Sequence, residues 1–261
     1  MNNAPLFSVI VTTHHRPALL ERALRSLLAQ SFPNFEIVLV ADEGSVETKS
    51  VATAILRPQD IFCVLPDAKG PGQSRNVGVD LARGRYLLFL DDDDSYHSHY
   101  LQGLVDCGKL SPEAVNYANF TELRESRTEG GIQTISSREV DIGTTEIALL
   151  LVRNFIPNNA VILPAAIARQ HKVDTNLQSH EDWDYLIALL FQHTFNFIGI
   201  GGPVVHVNLG PSRNNDAKSS GSMVLDYLSI YRKWPLANDN IRNARKESLK
   251  NMGLDLPAAL L

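Results

Sequence analysis

The chain has 261 residues, 44% hydrophobic and 20% charged, with a formal net charge of -5. That length holds one large α/β domain or two small ones with a sizeable core, and the composition is ordinary for a globular protein. It excludes a broad basic face for nucleic acid, and no apolar run approaches the roughly 20 residues that span a bilayer. The two cysteines, Cys63 and Cys107, lie among apolar residues and outside any Cys-x-x-Cys pair. They read as reduced thiols, not as a disulfide framework. Residues 1–5 have no basic n-region, so no signal peptide is expected. The expected location is cytoplasmic, with membrane contact at most peripheral and at the inner face.

In chain order, residues 7–12 read as a strand and 18–30 as a helix, with Leu19, Leu20, Ala23, Leu24, Leu27 and Leu28 at helical spacing on one face. Residues 36–41 read as a strand, 46–56 as a helix and 61–65 as a third strand. Gly and Pro make 67–72 a loop. Ser74 is then placed to cap a helix that runs to Arg83 and stops at Gly84. The apolar run 86–90 is a fourth strand. This alternation predicts a Rossmann-like, mostly parallel sheet with helices on both faces. Periodicity fades over residues 121–143, a polar stretch expected to be a mobile loop or hairpin. Beyond it the pattern predicts a helix at 145–153, a strand at 160–163 and an apolar helix at 183–192. Strands at 195–200 and 203–207, a polar flexible segment at 211–221, and helices at 223–233 and 239–252 complete the chain.

Four aspartates, Asp91, Asp92, Asp93 and Asp94, follow the fourth strand directly. A five-residue apolar run reads as a strand buried on both faces. Carboxylates ~4 Å apart repel by about 1 kcal/mol in water and by more where the dielectric falls. A divalent cation with oxygen ligands would offset that cost. The other reading is an acidic loop capping the next helix. Three further polar stretches follow strands: 12–17 (TTHHRP), 42–45 (DEGS) and 70–78 (GPGQSRNVG). In a parallel sheet all four fall at strand carboxyl ends, where open α/β sheets bind ligands. They predict one nucleotide-sized crevice. A P-loop, a Gly-x-Gly-x-x-Gly fingerprint and a His-Glu-x-x-His pair are all missing from the sequence. His14 and His15 are adjacent and so poorly placed to share a metal.

These stretches, with the later run 180–190 (HEDWDYLIALL), resemble glycosyltransferase family 2, the inverting, nucleotide-sugar-dependent enzymes of the GT-A fold. The resemblance is strong over residues 7–100 and returns at 180–190. It implies a GT-A fold with a smaller C-terminal acceptor-side region. It also implies a division into a nucleotide-sugar-binding half at 1–120, an acceptor and catalytic-base half at 121–215, and a helical tail at 216–261. By the same resemblance Thr12, Thr13, His14 and Arg16 pack around the nucleotide, with His14 and His15 replacing the family's Tyr and Asn. Asp42 or Glu43 accepts from the base N–H, and Arg75 lies near base and phosphates. Asp91 and Asp92 contact the nucleotide sugar. Asp93, with Asp91, meets Mn²⁺ or Mg²⁺, and His206 is a further candidate ligand.

The resemblance makes Asp182 the catalytic base, with Glu181 next. An inverting transfer needs a group to take the acceptor hydroxyl's proton; against this, acids in a first helical turn also suit the helix dipole. Trp183 is either an acceptor-stacking ring or a core residue, and Arg213 either a phosphate clamp or a solvated loop residue. The implied reaction moves a sugar from a nucleotide-sugar donor, most often a UDP-sugar in this family, to a hydroxyl acceptor such as a saccharide or lipid-linked glycan. It belongs to glycan or polysaccharide biosynthesis. The alternatives are a nucleotidyltransferase on a similar sheet and a catalytically decayed sugar-nucleotide-binding protein.

Overall fold

The structure is a computed structural model and describes residues 4–42, 44–128, 130–177, 179–210 and 222–261. β1 (Phe7–Thr13) is buried along its whole length, as expected of a central strand covered on both faces. Pro17 opens α1 (Pro17–Leu28) at a position where its missing N–H costs nothing. The helix buries Leu20, Ala23, Leu24 and Leu27, while Leu28 is exposed because it lies at the margin of the apolar stripe. β2 (Phe35–Ala41) pairs parallel with β1. Ser45 caps α2 (Val46–Ile55) by accepting from Thr48 N at 3.0 Å, and β3 (Ile61–Val64) forms the sheet edge.

The next helix departs from the expected start at Ser74. α3 (Pro71–Leu81) begins four residues earlier than a cap at Ser74 would set, with Pro71 in its first turn and Gly70 as the cap residue at φ 84°. Only glycine takes that conformation readily, and Pro71 then presets the helical φ. Ser74 is therefore an interior residue, buried and turned back towards Gly70 O. A Cβ on Gly78 would stand 2.3 Å from Ile10 Cγ2, so α3 lies close against β1. This contact fixes where Arg75, one turn earlier, can reach.

β4 (Tyr86–Asp91) lies on the other side of β1, with Thr12 in register with Asp91. The chain runs outward through β1, β2 and β3 and then returns to β1's far side. The crevice between β1 and β4 is thus the switch point at which open α/β sheets place ligands. Short β5 (Ser95–Tyr96) and α4 (Tyr100–Asp106) follow. β6 (Val115–Tyr117) joins the main sheet. The polar stretch proves to be a hairpin of β7 (Phe120–Thr128) and β8 (Gly131–Val140), with a register shift between Arg124 and Glu125. Its polarity reflects an outer strand, β8, whose residues 131–139 are all exposed, beside a β7 that is only partly buried.

The expected helix at 145–153 is only a 3₁₀ turn, Ile147–Leu151. β9 (Val161–Pro164) inserts antiparallel between β4 and β6. After α5 (Ala165–Ala168) comes α6 (Glu181–Leu190), two residues longer at its start than the apolar pattern predicts. β10 (Phe195–Phe197) pairs with β6, and β11 (Pro203–Asn208) with β7 and β5. The tail forms α7 (Ser222–Lys233) and α8 (Asp239–Asn251). The segment 211–221, with Arg213, lies outside the described residues, as does Glu43.

The main sheet has the order β10-β6-β9-β4-β1-β2-β3, and a second has β5-β11-β7-β8. The first draws strands from both sides of residue 120. Alternate residues of β1 feed opposite faces. Phe7, Val9 and Val11 pack with Leu20, Leu24 and Leu27 of α1, whereas Ile10 packs with Val79 of α3 and Leu186 and Leu189 of α6. Helices therefore cover both faces. A third cluster joins Trp183 and Ile187 of α6 to Ile230, Tyr231 and Leu249 of the tail. Within it Arg245 is fully buried and donates to the carbonyls of Leu151, Tyr231, Trp234 and Leu261, and burial lowers its pKa to about 10. No helix among the described residues is long and apolar enough to cross a membrane.

Candidate active site

β1 and β4 end side by side, so their loops share one crevice. The four aspartates do not act as a uniform charge run. Asp94 N closes a turn onto Asp91 O at 3.0 Å. The turn sends Asp91 and Asp93 outward, 35% and 27% exposed, while Asp92 is buried at 0%. Asp92 accepts from Thr13 Oγ1 at 2.7 Å and lies 3.0 Å from Arg16 Nη2. Burial raises its pKa to about 6 against the pull of Arg16 and Thr13. Asp94 caps no helix, because α4 starts only at Tyr100. Its two oxygens accept from His206 N at 2.9 Å and Asn159 Nδ2 at 3.0 Å, tying the turn to the second sheet. Burial, with Asp93 and Asp91 adding repulsion, pushes its pKa well up.

The outer pair faces guanidinium groups. Asp91 accepts from Arg75 Nη2 at 2.8 Å and lies 3.5 Å from Thr12 Oγ1. Asp93 meets Arg16 Nη1 at 3.1 Å and Arg127 Nη1 at 3.3 Å. Behind Asp93 a node joins His206 to three residues that the sequence did not single out, Glu125, Arg22 and Arg127. Glu125 of β7, 1% exposed, receives Arg22 of α1, Arg127 and His206. Burial opposes its ionisation, but hydrogen bonds from His206, Arg127 and Arg22 outweigh it and hold the carboxyl down at about 2. Glu125 and Arg127 are two apart on a strand and so share a face. That period-two pattern in the polar hairpin was the available signal.

His206 does not face Asp93 as an open ligand. Its Nδ1 lies 3.0 Å from Glu125 Oε2 and its Nε2 2.8 Å from Ser95 Oγ. Both nitrogens are engaged, and burial lowers its pKa. Among the described residues no group of three or more His, Cys, Asp or Glu side chains converges as a metal cage. The chemistry of Asp91 and Asp93 still fits a hard cation. They are two partly exposed carboxylates at a strand end, and such ions bind through one or two carboxylates with substrate phosphates completing the shell. His206 does not fit that set.

His14 Nδ1 lies 2.6 Å from Asp42 O, and its ring stands edge-on to His15 at 4.4 Å. Asp42 accepts from Lys69 N at 2.7 Å and Gly70 N at 2.8 Å. Its carboxylate thus shapes the loop that leads into α3.

The second carboxylate pair is joined to the first by one side chain. Arg75 is 6% exposed and donates to Asp91 and also to Glu181 Oε1 at the start of α6. Burial works against its charge, but Asp91 and Glu181 raise its pKa overall. Next to Glu181, Asp182 accepts from Asn154 Nδ2 at 3.2 Å and Trp183 N at 2.8 Å. Burial and the neighbouring Glu181 raise its pKa. Trp183 is core, at 0% exposure, with Nε1 donating to Leu150 O at 2.6 Å. Asp184 turns the other way, to Lys233 and Trp234 of the tail.

The sequence model described as Glycosyl transferase family 2 matches residues 8–136. A GalNAc(5)-diNAcBac-PP-undecaprenol beta-1,3-glucosyltransferase of Campylobacter jejuni is 38% identical over 104 residues, which is 39% of this chain and 34% of that relative. The chain thus matches about a third of that protein's length. Among solved structures, S. aureus TarS in complex with UDP-GlcNAc superposes with a TM-score of 0.62 at 19% identity, covering 95% of this chain and 73% of the other. The mannosyltransferase PcManGT from Pyrobaculum calidifontis, in complex with GDP-Man and Mn²⁺, gives 0.58 at 13% identity, over 99% and 78%. At such identities the superpositions establish the GT-A fold, while the sequence match carries the lineage. Residues 8–136 therefore carry the glycosyltransferase family 2 match of this chain.

Proposed function

We propose that the protein moves a sugar from a nucleoside-diphosphate sugar to a hydroxyl acceptor, with inversion at the anomeric carbon. The observation that carries this reading is the Arg75 bridge. It ties the strand-end aspartates to the helix bearing Asp182, so leaving-group and base machinery share one cleft. An in-line displacement needs both, held together. Arg22 Nε and Arg75 Nε, buried and without a hydrogen-bond partner among the described residues, lie in this same constellation, which supports a polar ligand there.

In this reading residues 1–120 bind the donor, 121–215 the acceptor, and 216–261 form a supporting tail. Thr12, Thr13, His14, Arg16 and Arg75 surround the nucleotide. Glu43, or Asp42 through its remaining lone pairs, accepts from the base. Asp93 and Asp91 would hold Mn²⁺ or Mg²⁺. When bound, the ion supplies positive charge beside the departing diphosphate. Arg16 and Arg127, already paired with Asp93, stand ready to meet the same phosphates. Asp182 takes the acceptor hydroxyl's proton as that oxygen bonds to the anomeric carbon and the bond to the diphosphate breaks. Its raised pKa makes it a stronger base near neutral pH. Glu181 keeps Arg75 in place.

A UDP-sugar is the donor we favour, since a fold relative holds UDP-GlcNAc. A saccharide or lipid-linked glycan is the acceptor we favour, since a sequence relative is named for an undecaprenol-linked substrate. With that acceptor we favour a role in glycan or polysaccharide assembly, in the cytoplasm with at most peripheral contact at the inner membrane face. The test is thermal unfolding with UDP, GDP, dTDP and CDP species, with and without Mn²⁺. A ligand at 100 times its Kd stabilises by about 2.7 kcal/mol. A Mn²⁺-dependent rise with UDP species is expected, and no such rise with any nucleotide would overturn the reading.

A further inference from the structure

His180 stands immediately before the carboxylate pair of α6. It has a φ of 59° and a ψ of 21°, a left-handed conformation uncommon for a residue with a Cβ. Its neighbours include residues of α7. Ser179 Oγ donates to Asp226 Oδ2 and lies 3.0 Å from His180 Nδ1. Asp226 Oδ2 is 3.6 Å from that same nitrogen. The imidazole stands edge-on to Tyr227 at 5.3 Å and to Trp183 at 6.1 Å between centroids.

The direction of this chain of hydrogen bonds sets the tautomer. Ser179 has one hydroxyl proton and gives it to the Asp226 carboxylate. Towards His180 its oxygen can then only accept, so Nδ1 carries the ring proton and the lone pair falls on Nε2. Nε2 has no hydrogen-bond partner among the described residues, and the side chain is 25% exposed. His180 stands two residues before Asp182, directly ahead of α6 (Glu181–Leu190). A clamped, strained imidazole with one uncommitted acceptor atom beside the base is arranged to meet a ligand.

We infer that His180 is an acceptor-positioning residue whose Nε2 accepts a hydrogen bond from a second hydroxyl of the acceptor, adjacent to the one Asp182 deprotonates. The acceptor is then a saccharide with neighbouring hydroxyls, not an isolated alcohol, and α7 takes part in its selection through Asp226 and Tyr227. This inference rests on the sugar-transfer reading above.

The variant H180G tests it cleanly, because glycine suits a φ of 59° and folding is not put at risk. Transfer is measured from a UDP-sugar with Mn²⁺ to a p-nitrophenyl glycoside that the wild type uses, and to that glycoside's deoxy analogues. In H180G the acceptor KM rises about tenfold, the affinity for UDP with Mn²⁺ is unchanged, and the melting temperature does not fall. One deoxy analogue is penalised about tenfold by the wild type and not by H180G, as coupling between two contacting groups requires. D226N shifts acceptor KM the same way by a smaller factor. An acceptor KM in H180G within twofold of wild type, or a deoxy penalty that survives the substitution, overturns the role of His180 while leaving sugar transfer intact. A wild type that binds UDP with Mn²⁺ but transfers to no glycoside overturns the sugar-transfer reading itself.

Discussion

The turn after β4 and the start of α6 both gather carboxylates out of solvent, yet they manage the charge differently. In the turn, the outer residues Asp91 and Asp93 face Arg75, Arg16 and Arg127. Asp92 and Asp94 are spent beneath them on Thr13, Arg16, His206 and Asn159. At α6, among the described residues, only Glu181 has a guanidinium partner. Asp182 has an amide and a backbone N–H instead, and burial with Glu181 raises its pKa. Asp91 and Asp93 are thus paired yet partly exposed, as suits the cation site proposed above, whereas the raised pKa of Asp182 suits the proton-accepting role proposed for it. Arg75 touches both clusters and sets the boundary between the two regimes.

Breaking that boundary should have the largest effect. R75M leaves Asp91 and Glu181 without their shared cation in a buried site. Loss of one partner from such a group costs about 3–5 kcal/mol, to be read from urea unfolding, and sugar transfer should disappear with it. D182N leaves the turn untouched, so nucleotide affinity should hold while transfer falls by about 10²–10⁴, the usual contribution of a general base. As the proposed base, Asp182 must be ionised to work. Wild-type turnover should therefore fall as pH drops through the raised Asp182 pKa, and D182N should lack that acidic limb. Near-native turnover in D182N would remove Asp182 from the mechanism. D93N should lose the Mn²⁺-dependent part of the thermal shift with UDP along with transfer, since Asp93 is a proposed ligand of the cation.

The smallest effect separates the floor of the turn from its rim. The folded pKa of Asp92, about 6, lies above its ordinary value of 3.8, so ionising it opposes folding. That penalty is absent below about pH 4, grows as pH rises through 6, and is complete above it. D92N, which can still accept from Thr13, should be more stable than wild type by about 1–3 kcal/mol at pH 7–8. The gain should close as pH falls towards 4. A D92N variant less stable than wild type at pH 8 would mean that the Arg16 contact outweighs burial.

Much of this was legible along the chain. The strands at β1, β2, β3 and β4, the loops at their carboxyl ends, and the two carboxylate motifs follow from apolar period, turn chemistry and acidic runs within windows of about ten residues. Gly70 and Pro71 carried the true start of α3, because a positive φ followed by a preset helical φ begins a helix there; Ser74 was a weaker signal of the same kind. The 3₁₀ turn at Ile147–Leu151 was misread as α-helix, since a short apolar period cannot tell the two apart.

The sequence by itself determined which elements form and which residues end up on the binding edge of the sheet. Only the tertiary structure decided what those residues touch. Arg75 and Glu181 are 106 positions apart, and Arg22 and Glu125 are 103. No local pattern encodes such pairs, because they arise where separate elements meet. His206 shows the consequence: its residue type allowed a metal ligand, but Ser95 and Glu125 occupy both of its nitrogens. Trp183 shows it too, an aromatic ring suited to a sugar that packing against the tail turned into core.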